Sequence, residues 1–313
     1  KHIKIYGLVC YLIMEFVSSQ DNRTVSCYLM GGLGNQLFQI FTTLAYGLQH
    51  GREVAFPHSK ELTSGTIRNT YWNNFLNSIE DTHTVANPDN HYTNEIVLRF
   101  PMLRESGFPY IPIPDLPNKE FLLHGYFQSY KYFQDVHSQL FQMIHLEQHQ
   151  NRVMEKAPAF FTGQNMKNIS MHFRIGDYKQ IQDCHPLMTY TYYENALQHV
   201  ITAFPGVQFQ VLYFHEDVDT DHVNEIIQKL SQHGMFSGIR FTRVHQDFDD
   251  WEQMICMSCC HHNIVANSTF SWWGAYFNTH PDKIVCYPSL WFGPKLSHDT
   301  RDLFPEMWNK VLM

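Results

Sequence analysis

The feature that most constrains the fold is a glycine-rich turn that directly follows a short apolar strand. Residues 25–30 are β-branched and apolar, and they end at residues 31–36, which read Gly-Gly-Leu-Gly-Asn-Gln. Apolar residues then recur at helical spacing over residues 37–48, and residues 54–56 predict a second strand. A strand, a tight turn, a helix and a strand in this order form the building block of a parallel sheet.

The same alternation restarts after residue 160. Strands are predicted at 168–173, 208–214, 239–244, 264–266 and 283–287, with helices at 190–203, 221–233, 250–261 and 272–279. The part before it is less regular, because residues 57–119 show no pattern and residues 130–156 predict a helix. We therefore expect an α/β fold with two Rossmann-like, doubly wound halves, residues 1–160 and 161–313, that face a common cleft.

Composition limits the classes of function. The chain has 313 residues, of which 44% are hydrophobic and 17% charged, and this is typical of a globular protein with an ample core. A net charge of −8 argues against nucleic acid as a partner, because a phosphate backbone needs clustered Lys and Arg. One nucleotide stays possible, since a diphosphate needs only one or two cations and a few backbone N–H groups. Seven irregularly spaced cysteines leave one or two disulfides open.

The amino terminus has two interpretations. Residues 5–17 are apolar apart from Glu15 and follow two lysines, as in a signal peptide. They are fewer than the roughly 20 residues that a membrane-spanning helix needs. A targeting segment and a buried first element are both open. The location is open with them: peripheral membrane association, Golgi-type in a eukaryote, or the cytoplasm of a bacterium or a virus-infected cell.

Three polar motifs stand at the ends of predicted strands, and the glycine-rich turn is the first. Its glycines let the backbone approach a phosphate, and the helix that follows offers N–H donors. It is an incomplete dinucleotide fingerprint, because Leu37 occupies the place of the third small residue. A Rossmann cofactor with Glu53 at its ribose, or a turn without ligand, are the alternatives. The residues that we expect at a ligand are Gly32, Gly34, Asn35 and Gln36.

The second motif is the end of the strand at 168–173. Alternation along the strand puts His172 and Arg174 on one face, where the arginine can hold a phosphate bidentately. Asp177 can fix the guanidinium. The alternative is a buried histidine with a structural Arg–Asp pair.

The third motif combines small and hydroxylic residues before a predicted helix. Their hydroxyl and N–H groups can cradle a diphosphate. The alternative is an ordinary helix cap, with Trp272 and Trp273 in the core. The residues are Asn267, Ser268, Thr269, Phe270 and Ser271.

Two further clusters resemble metal sites. Residues 256–262 read Cys-Met-Ser-Cys-Cys-His-His, but apolar neighbours and the lack of a second Cys pair favour a buried helix. The acidic residues 216–221 lack the Gly and Glu of a calcium loop, although they could hold a divalent cation against a diphosphate. Glycosylation sequons begin at Asn22, Asn168 and Asn267, and we discount the last two because they lie on or beside predicted buried strands.

Taken in order, the three motifs resemble the α-1,2-fucosyltransferase family. Residues 30–39 match its amino-terminal loop, residues 172–178 its central His-x-Arg-Arg-x-Asp motif, and residues 262–275 its carboxyl-terminal motif almost residue for residue. The resemblance spans residues 25–293, with weaker echoes at 125–129, 192–193, 214–217 and 288–292.

The resemblance implies a GT-B-like fold, GDP-fucose as donor and a terminal β-galactoside as acceptor. It further implies inversion at the fucose anomeric carbon without an essential metal or other cofactor. The chain departs from the family at Ile175, where the motif has a second arginine. Arg174 would then offset the charge of the departing GDP largely alone, helped by helix amino ends. Both the rate and the donor sugar depend on this departure.

The expected chemistry assigns three tasks, because glycosyl transfer passes through an oxocarbenium-like state. Arg174 and residues 268–271 stabilise the leaving diphosphate, with Asn35 and Gln36 near the donor sugar. His172 and either Glu216 or Asp217 contact the guanine edge. The proton acceptor is Asp183 or His185, with Asp177 as the alternative.

Other functions stay open at this level. One is a lectin-like or regulatory protein that binds a GDP-sugar without turnover. Another is a metal-dependent glycosyltransferase of different sugar specificity that uses Asp217 and Asp219. A dehydrogenase is the third. The acceptor loops are expected within residues 57–119.

Overall fold

The computed structural model describes residues 23–63, 65–117, 119–161, 166–244 and 247–313. The apolar segment 5–17 and the sequon at Asn22 lie outside the described residues. Of the helices in the described ranges, none is both long and apolar enough to cross a membrane.

The strands follow the chain in this order: β1 (Thr24–Cys27), β2 (Glu53–Val54), β3 (Glu61–Leu62), β4 (Arg68–Asn69), β5 (Met102–Arg104), β6 (Phe121–His124), β7 (Met166–His172), β8 (Gln208–Phe214), β9 (Arg240–Arg243), β10 (His262–Ile264), β11 (Val285–Pro288) and β12 (Asn309–Val311). The helices are α1 (Leu33–His50), α2 (Asn77–His83), α3 (Asn94–Val97), α4 (His137–Met143), α5 (Leu146–Lys156), α6 (Pro158–Phe161), α7 (Tyr190–Thr202), α8 (Thr220–Gln232), α9 (Asp250–Ser258) and α10 (Thr269–Tyr276). Short 3-10 turns occupy Tyr130–Tyr132, Gln134–Val136, Gly176–Gln180, Asp217–Asp219 and Gly234–Phe236.

The carboxyl-terminal half is a six-stranded sheet of order β12-β11-β10-β7-β8-β9. All neighbouring strands run parallel. Read from β9, this is the Rossmann order 3-2-1-4-5-6, in which the chain reverses its direction of growth between β7 and β10. Such a reversal opens a crevice beyond the carboxyl ends of those two strands, which are where the second and third motifs lie.

The amino-terminal half is a smaller parallel sheet of order β2-β1-β6-β5. Its reversal falls between β1 and β6, so the glycine-rich turn after β1 lies beside residues 125–129 after β6. A separate antiparallel hairpin, β3–β4, comes from the segment without a regular pattern. The α/β fold with two parallel sheets, GT-B-like as expected, is confirmed. The boundary at residue 160 stays a prediction.

The structure corrects several predicted elements. The helix expected over 130–156 is divided into α4 and α5, because His145 between them adopts a left-handed conformation with φ 52°. Helix α10 begins at Thr269, three residues earlier than expected, since Ser268 is its cap and the polar run belongs to its first turn. Strand β12 was not predicted, because three residues carry too little pattern.

One aromatic cluster joins the two halves. Phe38 on α1 packs against Trp272 on α10 at 4.5 Å between ring centroids, and Phe41 packs against Trp273 at 4.7 Å. All four side chains are fully buried. Burial of each such ring contributes a few kcal/mol at most, but together they fix the two helices, and hence the two sheets, in one arrangement.

The cysteine- and histidine-rich segment is largely buried, as the sequence favoured, but only residues 256–258 belong to helix α9, and the rest turns into β10. Burial raises the pKa of Cys259 to about 12, and the pKa values of Cys256 and Cys260 are raised as well. The cysteines of the described ranges are free thiols, so the disulfides left open by the sequence do not form among them. Asn168 and Asn267 are buried, as expected for sequons that carry no glycan.

His261 and His262 hold neighbouring strands through their rings. The Nδ1 atom of His261 accepts the backbone N–H of Asn168 at 3.0 Å, and that of His262 accepts the N–H of Ile284 at 3.1 Å. Burial lowers the pKa of His261 to about 4 and that of His262 to about 3, from 6.5. Both rings are therefore neutral in the folded protein near neutral pH.

We expect these two histidines to make the fold sensitive to acid. Below pH 6.5 the unfolded chain binds protons on these histidines that the folded chain does not bind. Their contribution to the free energy of unfolding is therefore complete above that pH and decreases as the pH drops toward the folded-state pKa values. Urea unfolding between about pH 7.5 and 4.5 measures the fall. His262→Gln should flatten it, whereas the exposed His199→Gln should not. An unchanged slope in His262→Gln would contradict the assignment.

Candidate active site

A cleft of about 930 Å³ lies between the two sheets, at the carboxyl ends of their strands. The turns after β1 and β6 form one wall, and the segments after β7, β8, β9 and β10 form the other. Both sheets thus direct their reversal points to one space, as expected for a ligand site between two Rossmann-like halves.

The amino ends of two helices meet in this cleft. Helix α1 starts after Gly32 and helix α10 after Ser268, and residues of both first turns line the cavity. A Cβ placed on Gly34 would lie 2.5 Å from the carbonyl carbon of Thr269, so only glycine permits this approach. The indole N–H of Trp273 donates to the Gly34 carbonyl at 2.8 Å. The cleft therefore receives the partial positive charge of two helix ends.

Asn35 spans the two halves, whereas Gln36 lies beneath the turn. The Asn35 Oδ1 atom accepts from Thr269 Oγ1 at 2.9 Å and from Gln128 Nε2 at 3.1 Å. The Gln36 amide is buried and donates to the carbonyls of Gly31 at 3.0 Å and Asn69 at 2.9 Å. Asn35 lines the cleft and Gln36 does not, so Gln36 positions the turn.

Arg174 lies between two carboxylates. Its guanidinium donates to Asp177 at 2.6 Å and to Glu216, and it stacks over the ring of Tyr178 at 5.1 Å from the centroid. All four residues line the cleft. The site thus holds its main cation in a defined position and neutralised, so that an entering phosphate must compete with the two acids.

His172 is a buried, neutral group beside this arginine. Burial, and then the charges of Arg174 and His215, lower its pKa to about 3. Its Nδ1 atom has no hydrogen-bond partner among the described residues, and neither has Nε2 of His215. Both rings line the cleft. Unpartnered buried nitrogens at a cavity wall are groups that a bound ligand would satisfy.

Three acids of the segment after β8 have cationic partners within the chain. Glu216 pairs with Arg174 and Asp217 pairs with Arg243, while buried Asp219 accepts from Lys179 at 2.8 Å and from the Gly176 N–H at 2.8 Å. In the described ranges no group of three or more His, Cys, Asp and Glu could hold a metal ion.

The third motif divides between the cleft and the interior. Asn267, Ser268, Thr269 and Phe270 line the cavity. The Asn267 amide donates to Pro186 at 2.9 Å and to Trp291 at 3.2 Å through their carbonyls, which fixes the motif to two loops. Ser271 is buried and its hydroxyl turns back to the Ser268 carbonyl at 3.4 Å. Ser271 thus stabilises the cap and lies outside the cavity.

The three candidate proton acceptors lie in different places. Asp183 is exposed, forms an ion pair with Lys295 at 2.9 Å and does not line the cleft, so the structure does not bring it to the other candidates. Asp177 lines the cleft with one oxygen engaged by Arg174. His185 lines it as well and stacks on Tyr178 at 4.7 Å. Burial lowers the pKa of His185, so the ring is neutral near pH 7.

Ile175 and Glu53 do not line the cleft. Ile175 is buried in the core of the carboxyl-terminal half, so the position of the missing arginine does not face the cavity in this chain. Glu53 opens β2 opposite Thr24 at the amino ends of the strands. A ribose-binding acid stands at the carboxyl end of its strand, and the Rossmann-cofactor alternative loses its support.

Sequence reasoning missed several cleft residues. Arg243 ends β9 and could have been found by the rule that located His172, because both end strands of one parallel sheet. Tyr71 and Asp250 form a hydrogen bond across the cleft edge from distant parts of the chain, which no local pattern signals. The cavity further includes Arg68, Tyr126, Gln128, Phe214, His215, Val244, Gln253, Trp291 and Phe292.

Comparison with known families agrees with the three motifs. The model of the family described as Glycosyl transferase family 11 matches residues 9–311, nearly the whole chain. The chain belongs to glycosyl transferase family 11. Membership accounts for the order of the three motifs at strand ends, since all of them fall within the matched range.

Curated relatives match parts of the chain. O-antigen biosynthesis glycosyltransferase WbnK from Escherichia coli is 33% identical over 134 residues, which cover 41% of this chain and 40% of the relative. Alpha-1,2-colitosyltransferase from Escherichia coli is 29% identical over 149 residues, which cover 46% and 47%. The matches thus span less than half the length of either relative.

Solved structures are more distant. A glycosyl transferase of family 9 from Veillonella parvula aligns over 95% of this chain and 88% of its own, with a TM-score of 0.49 and 9% identity. Fucosyltransferase NodZ from Bradyrhizobium aligns over 81% and 92%, with a TM-score of 0.45 and 11% identity. Likenesses at this distance carry no argument about the site.

We expect Gly34→Ala to separate the two helix ends. The added methyl group has no room against the Thr269 backbone, and overpacking of this kind costs about 1–3 kcal/mol. Gly234→Ala is the matched control, because nothing lies within 4 Å of a Cβ there and the residue does not line the cleft. Chemical unfolding measures stability and calorimetry measures GDP binding; both should fall in Gly34→Ala and change little in Gly234→Ala. Equal behaviour of the two variants would contradict the close contact.

Proposed function

We propose that this protein transfers L-fucose from GDP-fucose to the 2-hydroxyl of a terminal β-galactoside with inversion. In this reaction the bond between the sugar C1 and the phosphate oxygen breaks, and a bond from C1 to the acceptor oxygen forms. The hydroxyl proton passes to a base, and GDP leaves. The α-1,2 linkage in the name of one relative, which transfers colitose, supports the linkage type.

The observation that carries the proposal is the convergence of two helix amino ends beside Arg174. Backbone N–H groups of the first turns of α1 and α10 offer donors to a diphosphate. Arg174 supplies a bidentate cation. Arg243 offers a second guanidinium on the same wall, which supports charge stabilisation in a chain that has Ile175 in its central motif.

The wall around β8 suits a guanine base. Guanine presents N–H donors on its Watson–Crick edge, which a carboxylate accepts well. Glu216 and Asp217 stand at this wall, and the unpartnered nitrogens of His172 and His215 lie beside them. A guanine that takes up one carboxylate would release Arg174 or Arg243 to the diphosphate.

We propose a metal-independent reaction. The acids that could hold a divalent cation are each engaged by a cation of the chain, and the leaving charge has helix ends and guanidinium groups to stabilise it. The metal-dependent alternative would need Asp217 and Asp219 to leave Arg243 and Lys179.

We propose His185 as the proton acceptor. Its ring is neutral, lines the cleft and keeps a buried Nδ1 atom without a partner among the described residues. Asp177 is the second candidate, but one of its carboxylate oxygens is already engaged by Arg174.

The first test is release of GDP from GDP-fucose, with and without lactose, in the presence of a chelator. Release that depends on lactose is the expected result. GDP binding without release would favour the lectin-like alternative, and release only without chelator would favour the metal-dependent one. A parallel assay with the corresponding colitose donor tests the donor sugar. Absence of GDP binding would refute the proposal.

Arg174→Ala should abolish transfer and leave the fold intact. Removal of a preorganised cation from the leaving group costs about 10²–10³ in kcat, and loss of both of its ion pairs should cost little stability because the partners are exposed. Arg99→Ala, which breaks an exposed pair with Glu95, is the control. Kinetics and thermal unfolding are measured on the same preparations, and near-normal turnover of Arg174→Ala would exclude the assigned role.

His185→Asn and Asp177→Asn distinguish the two candidate bases. If His185 accepts the proton, its loss lowers kcat by about 10²–10⁴. A histidine must be unprotonated to act as a base, so the wild-type rate should be flat near neutral pH and fall as the pH drops through the lowered pKa of His185, below 6.5. Asp177→Asn should keep a profile of this shape, with the fall moved to lower pH because the Asp177 carboxylate raises the pKa of His185. A profile abolished by Asp177→Asn instead would reverse the assignment.

A further inference from the structure

A second groove of about 520 Å³ opens beside the cleft. The segment around β3 and β4 forms one side, and the first turn of α9 forms the other. Asn69, Tyr71 and Asp250 line both cavities, so the groove is a continuation of the cleft. Its volume lies within the range of small-molecule sites, yet none of the tasks of donor binding or proton transfer falls to it.

The walls of the groove combine aromatic rings with polar groups of both kinds. Tyr71, Trp72 and Trp251 provide rings, and the polar lining consists of His58, Ser59, Lys60, Glu61, Asn69, Thr70, Asn73, Asn74, Glu80, Asp249 and Asp250. The rings are almost fully buried, so the surface that a ligand meets is mostly polar, and sugars carry hydroxyls that both donate and accept hydrogen bonds. The composition of these walls therefore suits a carbohydrate chain.

The charge of the groove excludes an anionic occupant. Four carboxylates face one lysine and one histidine, and the histidine, His58, is held by Glu80 at 2.7 Å. A phosphate, sulfate or sialic acid would meet an excess of negative charge. The occupant that the walls favour is neutral.

Two buried indoles in the groove keep unused donors. Trp72 is 2% exposed and Trp251 is 4% exposed, and the Nε1–H of each has no hydrogen-bond partner in the described ranges. A buried donor without a partner costs about 1–3 kcal/mol. An acceptor oxygen supplied by a ligand would recover this cost, and sugar hydroxyls carry such oxygens.

Two hydrogen bonds fix the position of the groove relative to the donor cleft. Gln36, beneath the glycine-rich turn, donates to the Asn69 carbonyl at the end of β4. Tyr71 donates to Asp250 at the border between the two cavities. A sugar chain in the groove would thus reach the cleft beside this pair.

We propose that the groove binds the inner sugars of a neutral oligosaccharide acceptor whose terminal galactose enters the cleft. This inference rests on the proposed function and narrows its acceptor to chains longer than a disaccharide. Trp72 and Trp251 give the groove its hydrogen-bond donors, and the carboxylates select against charged glycans.

The test compares lactose with lacto-N-neotetraose, a neutral tetrasaccharide with the same terminal galactose, and with its derivative sulfated on the internal glucosamine. The tetrasaccharide should have a kcat/KM about tenfold above that of lactose, the equivalent of one or two net hydrogen bonds. The sulfated derivative should lose this advantage. Equal values for lactose and the tetrasaccharide would overturn the inference.

Variants locate the effect in the groove. Trp72→Phe keeps the ring that stacks on Phe56 and removes the N–H, and Asn73→Trp places a bulky side chain at an exposed groove position. Both should raise KM for the tetrasaccharide about 3- to 10-fold and leave kcat and the KM for lactose unchanged. Trp308→Phe, away from the groove, is the matched control. A proportional loss with both acceptors would refute the assignment.

A binding measurement separates failure of this inference from failure of the proposed function. Saturation-transfer NMR follows the tetrasaccharide on the protein with GDP bound. Suppose that no fucose is transferred in the kinetic assay, but that the tetrasaccharide binds and Asn73→Trp abolishes this binding. The groove assignment then holds and the proposed reaction fails. If lactose is a substrate and the tetrasaccharide gains nothing, the reaction holds and the groove assignment fails. Absence of tetrasaccharide binding overturns the groove assignment in either case.

Discussion

The contact between the amino ends of α1 and α10 is the constraint on which the site depends. Gly34 allows the Thr269 backbone to approach, and the Trp273 indole fixes the approach by its bond to the Gly34 carbonyl. The same tryptophan packs on Phe41 in the core. Trp273 thus connects the hydrophobic contact between the two sheets to the polar end of the cleft. The amino ends of both helices open into one cleft because this contact is closed.

Charge in the cleft is balanced before any ligand enters. Arg174 and Arg243 each have carboxylate partners on the loop after β8 or on the turn after β7. These pairs are partly exposed, so their contribution to stability is small. The ion pairs instead orient the two guanidinium groups at the wall of the cleft. Because each guanidinium is paired, neither carries a desolvated charge without a partner. A phosphate that entered the cleft would take the place of a carboxylate beside the guanidinium.

The sequence predicted the parts of the site that lie within one strand end and failed where distant segments meet. His172 and Arg174 follow from alternation along β7, and the first turn of α10 follows from its polar residues, although its start was misplaced because Ser268 caps earlier than expected. Asp183 lies three positions from the end of a turn that sends it to solvent. Tyr71 contacts Asp250 through tertiary packing alone, and no local sequence pattern predicts this pair.

Unsatisfied buried polar groups show where the fold has been shaped for something other than stability. Interior hydrogen-bonding groups are nearly always paired, yet His172, His185, His215, Arg243 and Asn267 at the cleft each keep an unpaired atom among the described residues. Folding gains nothing from these atoms, because each was solvated in the unfolded chain. Similar atoms also lie away from the cavity, at Ser26, Thr42, Arg52, His149 and His262, so a missing partner points to a ligand only where the atom borders the cavity or its extension, as those of Trp72 and Trp251 do.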